Sequence, residues 1–483
     1  MLIGQASINL TANVLSAGLG LLSVFAFTRL FSPHDYGIYL LGVGFASVIS
    51  VFLAGWFRNL VLSGHARNDG TEVRGHVASG FAIVCLTTPL AYGLGRVIGL
   101  DTTAALAAVA LSIAIGLFDL TQDLIRARLM AFSVMRGTLV RSTGVLCLGV
   151  IAALVSPTGL QLMLAATAAC ALAILIQSRA AWRGTKFVLD RSELAALARQ
   201  GLPLTLSLTL LAISSVTDRF MIANLVGPAD AGKYVAALDL VRQTLMLPAM
   251  STAAAFFPLA VQIHARQGDA VVRAHFAECA ELLFSITLPA ALGFAMISWH
   301  VANVVLGTDF REIAAQIMPI VAVAVIFQIM TQQYLHASFL LSGRNGFYLI
   351  NTMAIIAANV FLSYLLVRSH GAIGAAWARL GADVIGFFCA LALTRIAFPV
   401  PLPAGRLGLI LIAGLVMALA VSALDKQLHV AHLTACLVLA AAGAMTYATL
   451  GWLFDISHAR RRFRSVLAIL HARRTKLTIG PNQ

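Results

Sequence analysis

The stretch FSPHDYGIY, residues 31–39, returns in nearly the same form as VGPADAGKY at residues 226–234. In each copy Pro ends one helix, Asp can cap the next, and Gly permits a tight turn. We therefore predict two equivalent turns, each at the start of a long helix. Four letters match, all 195 residues apart: Pro33/Pro228, Asp35/Asp230, Gly37/Gly232 and Tyr39/Tyr234.

A second pair of similar segments follows the first in the same order. VRGHVA at 73–78 corresponds to VRAHFA at 272–277, now 199 residues apart, so a few residues have been inserted between the two matches. Two matches in one order, at the same place in the succession of apolar segments, indicate an internal duplication with an offset of about 195.

The composition predicts a membrane protein. The chain has 483 residues, of which 60% are hydrophobic and 11% charged, with a mean hydropathy of +0.91. Soluble domains carry about 25% charged residues, so this chain cannot cover a water-facing surface. The net charge of +14 does not indicate nucleic-acid binding, because the basic residues form short clusters between apolar runs. Six cysteines without a C-x-x-C pair predict neither a metal site nor disulfides.

A membrane-spanning helix needs about 20 apolar residues, and the chain offers fourteen such runs. Most Lys and Arg follow even-numbered runs or lie in the tail, which predicts that both termini are cytoplasmic. The start MLIGQASINL lacks the basic residues of a signal peptide, so the first run is expected to be retained. The runs are about 8–30, 37–61, 78–99, 102–122, 138–156, 159–178, 201–226, 232–257, 278–305, 312–340, 347–367, 371–396, 407–424 and 433–455.

The fold predicted is therefore an all-α polytopic membrane protein with two six-helix repeats. Six spans return the chain to its starting side, so the two repeats are parallel, an arrangement typical of transporters. We expect a six-helix lobe in residues 1–200, a second in 201–400, two additional helices in 401–455, and a basic cytoplasmic tail in 456–483.

Four segments carry a resemblance to a known family: RLFSPHDYGIYLL, VTDRFMIANLVGPADAGKY, VVLGTDFREIAAQIMPI and HGAIGAAWARLGADVI. They resemble the polysaccharide-transport, Wzx-type oligosaccharide flippases, which share a superfamily with the multidrug and toxin extruders. The resemblance implies export of a lipid-linked oligosaccharide, usually on a polyprenyl pyrophosphate, across the bacterial cytoplasmic (inner) membrane. It implies membrane lipids and the polysaccharide polymerase or export machinery as partners, and no cofactor.

Charged residues inside spans are the main candidate site residues, because a charge at mid-bilayer costs about 2.5–3.5 kcal/mol. The candidates are Asp218 and Arg219 in span seven, Asp239 and Arg242 in span eight, and Arg379 and Asp383 in span twelve. The residues 195 positions before the four candidates of spans seven and eight are uncharged, so these charges are specific to the second half of the repeat. They are Ser23, Val24, Gly44 and Ser47.

Two interpretations of these charges stay open. In one, the three arginines line a central cavity and bind the pyrophosphate, because the planar guanidinium fits phosphate oxygens, while the aspartates hold the arginines when the cavity is empty. In the other, Asp239–Arg242 and Arg379–Asp383 are buried ion pairs that fix helix packing.

Four weaker candidates complete the site. Arg29 and Arg58 lie near span ends, where a long side chain can reach the interface. Gln332 and His336 can contact sugar hydroxyls or neighbouring helices. His429 and His432 have an H-x-x-H spacing but no third ligand in sequence, so no metal site is predicted.

Phosphate-loop, kinase and hydrolase motifs are all missing from the sequence, and we predict no catalytic residues and no enzyme. Transport would then draw on an ion gradient, on the membrane potential or on removal of cargo. Three alternatives remain: a lipid II-type flippase, a multidrug or cation antiporter of the same superfamily, and a membrane-embedded polysaccharide polymerase. A polymerase would need larger outer loops than those between the predicted spans.

Overall fold

The computed structural model describes residues 2–65, 72–185, 191–344, 346–458 and 460. All regular structure in these ranges is helical, which confirms the predicted fold class. A 3₁₀ turn at Cys85–Thr87 joins α3 to α4, and a π-helical turn at Met330–Leu335 joins α11 to α12. The helices are α1 Leu2–Leu30, α2 Pro33–His65, α3 Glu72–Val84, α4 Thr88–Val97, α5 Thr102–Ala127, α6 Ala131–Val155, α7 Gly159–Trp182, α8 Arg191–Leu225, α9 Pro228–Gln267, α10 Asp269–Val305, α11 Thr308–Ile329, α12 His336–Leu341, α13 Gly346–Ala397, α14 Ala404–Asp425 and α15 His432–Leu453.

Thirteen helical stretches of the described residues are long and apolar enough to cross a membrane, so the chain is a multi-pass membrane protein. Among these stretches α13 is unusual, because its 52 residues would reach about 78 Å, far more than one bilayer. Its helical geometry is interrupted at Gly371, where φ is +56°. The two arms of α13 are each long enough for one crossing. The count of fourteen spans and the internal repeat stay predictions.

The two repeated turns occupy equivalent places in the structure and lie against each other. Pro33 begins α2 and Pro228 begins α9, the position where a missing N–H costs least. A methyl group added at Gly37 would lie 1.9 Å from the carbonyl oxygen of Pro228, and one added at Gly232 would lie 2.5 Å from the carbonyl oxygen of Pro33. The glycines shared by the two turns are therefore required for the contact between the helix starts.

Contacts divide the chain into two compact units. Unit 1 comprises Met1–Leu240, Val305–Ile317 and Thr352–Ala382, and unit 2 comprises Val241–Val304, Met318–Asn351 and Asp383–Gln483. The predicted lobes, 1–200 and 201–400, describe a sequence duplication rather than a division by contacts. They stay a prediction, as do the two additional helices of 401–455. Of the predicted basic tail, residues 461–483 lie outside the described part of the chain.

An aromatic cluster stabilises unit 1 beside the repeated turns. Tyr36 is buried and lies in contact with three other rings. The ring centroids of Tyr36 and Tyr39 are 6.0 Å apart, and Phe310 of α11 packs edge-on against Tyr36 at 5.9 Å. Phe27 of α1 packs against both tyrosines. Large buried rings contribute strongly to packing energy, so this cluster fixes the start of α2.

Unit 2 has its own apolar core. Met417, Val421, Ala435 and Leu439 pack together where α14 meets α15, and Ile297 of α10 packs against them. Elsewhere in this unit the hydroxyl of Tyr334, in the π-helical turn, donates a hydrogen bond of 2.5 Å to the carbonyl oxygen of Pro401.

Candidate functional site

Five side chains of unit 1 form a connected group of charges and hydrogen bonds inside the membrane-spanning helices, which we call the charged cluster. α8 supplies two of them, α9 two and the second arm of α13 one. Four of the five were predicted as candidate site residues from the sequence. The members are Asp218, Arg219, Tyr234, Asp239 and Arg379.

Asp218 is the most deeply buried member, with 0% of its surface exposed. The hydroxyl of Tyr234 donates a hydrogen bond of 2.8 Å to Oδ2 of Asp218. Nη1 of Arg379 lies 3.6 Å from the same oxygen, and Arg379 is itself only 3% exposed. The carboxylate thus holds a guanidinium from one helix and a phenol from another, which stabilises both charges away from water.

Arg219 forms the second ion pair, at 3.0 Å between its Nη2 and Oδ1 of Asp239. These side chains are less buried, with 11% of Arg219 and 28% of Asp239 exposed. On its other side Arg219 passes close to α2, where the position of a Cβ on Gly44 would be 3.8 Å from its Cδ. A methyl group at Gly44 would therefore make an ordinary contact with the arginine side chain.

The charged cluster contains two carboxylates and two guanidinium groups, so its formal charge is zero. Nε of Arg219 is buried and has no hydrogen-bond partner among the described residues. An arginine has five N–H donors, and the fork formed by Nε and Nη suits two oxygens of one phosphate. Nε of Arg219 is thus a donor that the described residues leave unused.

Two predicted site residues fall in unit 2 rather than in the charged cluster. Arg242 donates from Nε and Nη2 to Oε1 of Gln328, at 3.3 and 3.2 Å. Because the glutamine is neutral, this interaction is a hydrogen bond rather than an ion pair. Asp383 lies in α13 and is 4% exposed.

Of the weaker candidates, Arg29 and His336 make contacts that join one helix to another. Nη1 of Arg29 donates to the carbonyl oxygen of Val305, at 2.6 Å, and so ties the end of α1 to the end of α10. His336 is 3% exposed and its Nε2 lies 3.0 Å from Nδ2 of Asn351, a contact between α12 and α13. Gln332 lies in the π-helical turn. The side chain of Arg58 lies outside the described part of the structure.

Unit 2 contains a partly open cavity of about 470 Å³ with almost entirely apolar walls. Its lining comes from α9, α10, α14 and α15 and includes Pro289, Phe294, Met417 and Val421. Few polar groups reach it, Ser285 and Tyr447 among them. Such a cavity suits a hydrocarbon chain rather than a sugar or a phosphate. Among the described residues, no three His, Cys, Asp or Glu side chains are placed to hold a metal ion.

The sequence did not single out Tyr234 and Gly44 as site residues. Tyr234 was interpreted as part of a turn, yet its hydroxyl binds the buried carboxylate of Asp218. Its position in the sequence, about one and a half helical turns before Asp239 in the same helix, was the feature that could have indicated a role beside the charges. Gly44 could be found only through the predicted repeat, in which it is the counterpart of Asp239.

Solved structures of transporters share this fold. The lipid II flippase MurJ, in an inward closed conformation, has a TM-score of 0.76 at 14% identity, covering 92% of this chain and 98% of that chain. An inward-facing multidrug resistance transporter of the MATE family has a TM-score of 0.62 at 15% identity, covering 82% and 97%. A MOP superfamily transporter from Pyrococcus furiosus has a TM-score of 0.51 at 15% identity, covering 83% and 94%. No curated relative matches the sequence significantly.

The structure thus defines a multi-pass membrane protein with the fold of the flippases and exporters of the MOP superfamily. A family model described as polysaccharide biosynthesis protein matches residues 26–315. The chain belongs to this polysaccharide biosynthesis family, which confirms the resemblance found in the sequence.

Proposed function

We propose that this protein is a flippase that moves a lipid-linked oligosaccharide, carried on a polyprenyl pyrophosphate, across the cytoplasmic membrane by alternating access. The observation that carries the proposal is the charged cluster. Arg219 and Arg379 are held by two carboxylates inside membrane-spanning helices, where a charge is costly to bury.

In this proposal Asp239 is a replaceable ligand of Arg219. Carboxylate and phosphate oxygens bind guanidinium groups with the same geometry, so a pyrophosphate can take the place of Asp239 on Arg219. Asp239 is the more exposed of the two aspartates and is the one expected to yield first. Asp218 keeps Arg379 in place through the exchange, because Tyr234 fixes its carboxylate.

The apolar cavity of unit 2 supports a cargo with a hydrocarbon chain. We propose that it receives part of the polyprenyl tail. Ala444→Trp would fill the cavity, since Ala444 is one of its lining residues. Met445→Trp is the matched control, because Met445 is 65% exposed and does not line the cavity. We expect Ala444→Trp to reduce translocation about tenfold and Met445→Trp to leave it unchanged, whereas equal loss in both would exclude this role.

A lipid II-type flippase is the second candidate, because MurJ shares the fold over 92% of this chain. Its cargo also joins a sugar to a polyprenyl pyrophosphate, so the same cluster and cavity would serve. A cation antiporter is supported less well, because the proposed site would bind its cargo through the guanidinium group of Arg219, which binds anions. A polymerase would need acid and base groups in outer loops.

We also propose the membrane arrangement expected from the sequence. Both termini lie on the cytoplasmic side, the two parallel six-helix repeats derive from a duplication, and the inner membrane is the site of action. Membrane lipids surround the protein, and the polymerase or export machinery receives its product. The protein itself performs no chemical step.

Deletion of the gene in the native organism tests this function. The lipid-linked oligosaccharide should accumulate on the cytoplasmic leaflet, where an impermeant lectin added outside cannot reach it. Accumulation of unpolymerised oligosaccharide on the outer leaflet would instead support the polymerase. Loss of viability, with accumulation of lipid II, would favour the second candidate over the first.

A further inference from the structure

Three helix ends of unit 2 are joined by a chain of hydrogen bonds that the proposed function does not use. Nε2 of His300, near the end of α10, lies 2.8 Å from Oδ1 of Asp425, the last residue of α14. Nδ1 of the same ring lies 2.9 Å from Nδ1 of His432, the first residue of α15. We call these three side chains the histidine relay.

The contacts determine where the protons are in the neutral relay. A carboxylate accepts only, so Nε2 of His300 carries a proton and donates it to Asp425. Nδ1 of His300 is then bare and accepts the N–H of Nδ1 of His432. This leaves Nε2 of His432 as the basic nitrogen of the relay. His432 is exposed, whereas only 12% of the His300 side chain is, so a proton from water enters at His432.

One added proton fits the relay and a second does not. When a proton binds Nε2 of His432, the proton on Nδ1 can pass to Nδ1 of His300, and the positive charge then faces Asp425. The N-terminus of α15 disfavours a charge on His432, and this favours the transfer. A second added proton would place N–H groups on both Nδ1 atoms, which face each other at 2.9 Å, and the contact between the rings would break.

We propose that the histidine relay is a proton-binding site that holds α14 and α15 against α10 until a second proton releases them. A neutral imidazole has one donor and one acceptor nitrogen, whereas a protonated one has two donors, and the release depends on this change. By the orientation predicted from the sequence, the relay lies at the outer ends of these helices.

Two residues of the histidine relay lie one helical turn from residues that line the apolar cavity. Ile297 lies three residues before His300 and Val421 four residues before Asp425, about one helical turn in each case, and both line the cavity. Releasing the relay would therefore loosen two walls of the cavity. This step rests on the proposed function, in which the cavity receives the polyprenyl tail.

Other titratable groups near the relay are few among the described residues of these helix ends. Lys426 follows Asp425, and His429 lies in the same loop, where its Nδ1 is 3.2 Å from the carbonyl oxygen of Gln427. Cys436 lies one turn after His432 in α15. His429 shares the loop but not the relay, which makes it the matched control.

The test compares the thermal unfolding midpoint of the purified protein with that of His432→Gln and His429→Gln, in lipid nanodiscs without cargo. At pH 7, His432→Gln should lower the midpoint by about 2 °C, because the contact to His300 is lost. At pH 4.5 the two midpoints should coincide, because the wild-type relay is released. His429→Gln should match the wild type at both values.

A difference between wild type and His432→Gln that does not change with pH would overturn the proposal, and so would an equal effect of His429→Gln. Histidine-selective NMR gives a second readout. The signals lost in His300→Gln and in His432→Gln should titrate together in the wild type, in two steps, whereas independent single-step titrations would contradict a shared site. Because neither measurement needs cargo, the proposal for the histidine relay is tested independently of the proposed function.

Discussion

The starts of α2 and α9 have the same turn residues but differ in the charge of a residue further along each helix. Their first turns have the same Pro, Asp, Gly and Tyr, and the two glycines allow the helix starts to touch. Further along, α2 has Gly44 where α9 has Asp239, and both positions lie beside Arg219, but only Asp239 supplies a charge to it. The residues that the two helix starts share thus determine how the helices pack, and a residue in which they differ contributes a charge to the charged cluster.

The largest effect is expected from a side chain at the shared glycines. Gly37→Ala would place a methyl group 1.9 Å from the carbonyl oxygen of Pro228, so the helix starts must separate. Because the clash is with backbone atoms, the cost should exceed the roughly 1–3 kcal/mol of ordinary overpacking and should abolish most of the yield of folded protein, measured by size-exclusion chromatography of a fluorescent fusion. Gly18→Ala is the control, because nothing lies within 4 Å of the added group. Normal yield of Gly37→Ala would contradict the role of this contact.

The next effect concerns the buried pair of the charged cluster. Asp218→Asn removes the counter-charge of Arg379 and should lower the stability by about 3 kcal/mol, because a buried charge is left uncompensated. The double variant Asp218→Asn/Arg379→Gln should recover most of that stability but not translocation. Thermal unfolding and a translocation assay separate the two outcomes. Recovery of both would mean that the pair only fixes helix packing.

A smaller effect is expected at the exposed side of the charged cluster. Arg219→Lys keeps the charge and the pair with Asp239 but loses the planar fork, so translocation should fall about tenfold with little change in stability. Arg29→Lys is the control, since Arg29 binds a backbone carbonyl at a helix end. Equal loss in both variants would show a general need for arginine rather than recognition of an anion.

The sequence predicted the class of fold, a large number of membrane-spanning helices and four of the residues that form the charged cluster. It succeeded there because apolar length and interior charge are properties of single segments. One interpretation of the sequence paired these charges within single helices. The pairs of Asp239 with Arg219 and of Arg379 with Asp218 join different helices, and so they depend on which helices meet. The histidine relay was hidden for the same reason, as its three residues come from three helices.

The smallest effect is expected at Gly44. A Cβ there would lie 3.4 Å from Val216, an ordinary contact, so Gly44→Ala should leave stability and translocation within about twofold of the wild type. Gly44→Asp, by contrast, would offer Arg219 a second carboxylate and should slow translocation by competing with the anion. If Gly44→Asp were as active as Gly44→Ala in the same assay, Asp239 would not be a ligand that the cargo replaces.

The most direct test is translocation in proteoliposomes of a fluorescent polyprenyl pyrophosphate-linked oligosaccharide, followed by its exposure to an impermeant lectin. The wild type should move this lipid between leaflets, the double variant Asp218→Asn/Arg379→Gln should be folded but at least tenfold slower, and a cationic dye should not be transported. Transport of the dye without the lipid, or full activity of this double variant, would contradict the account.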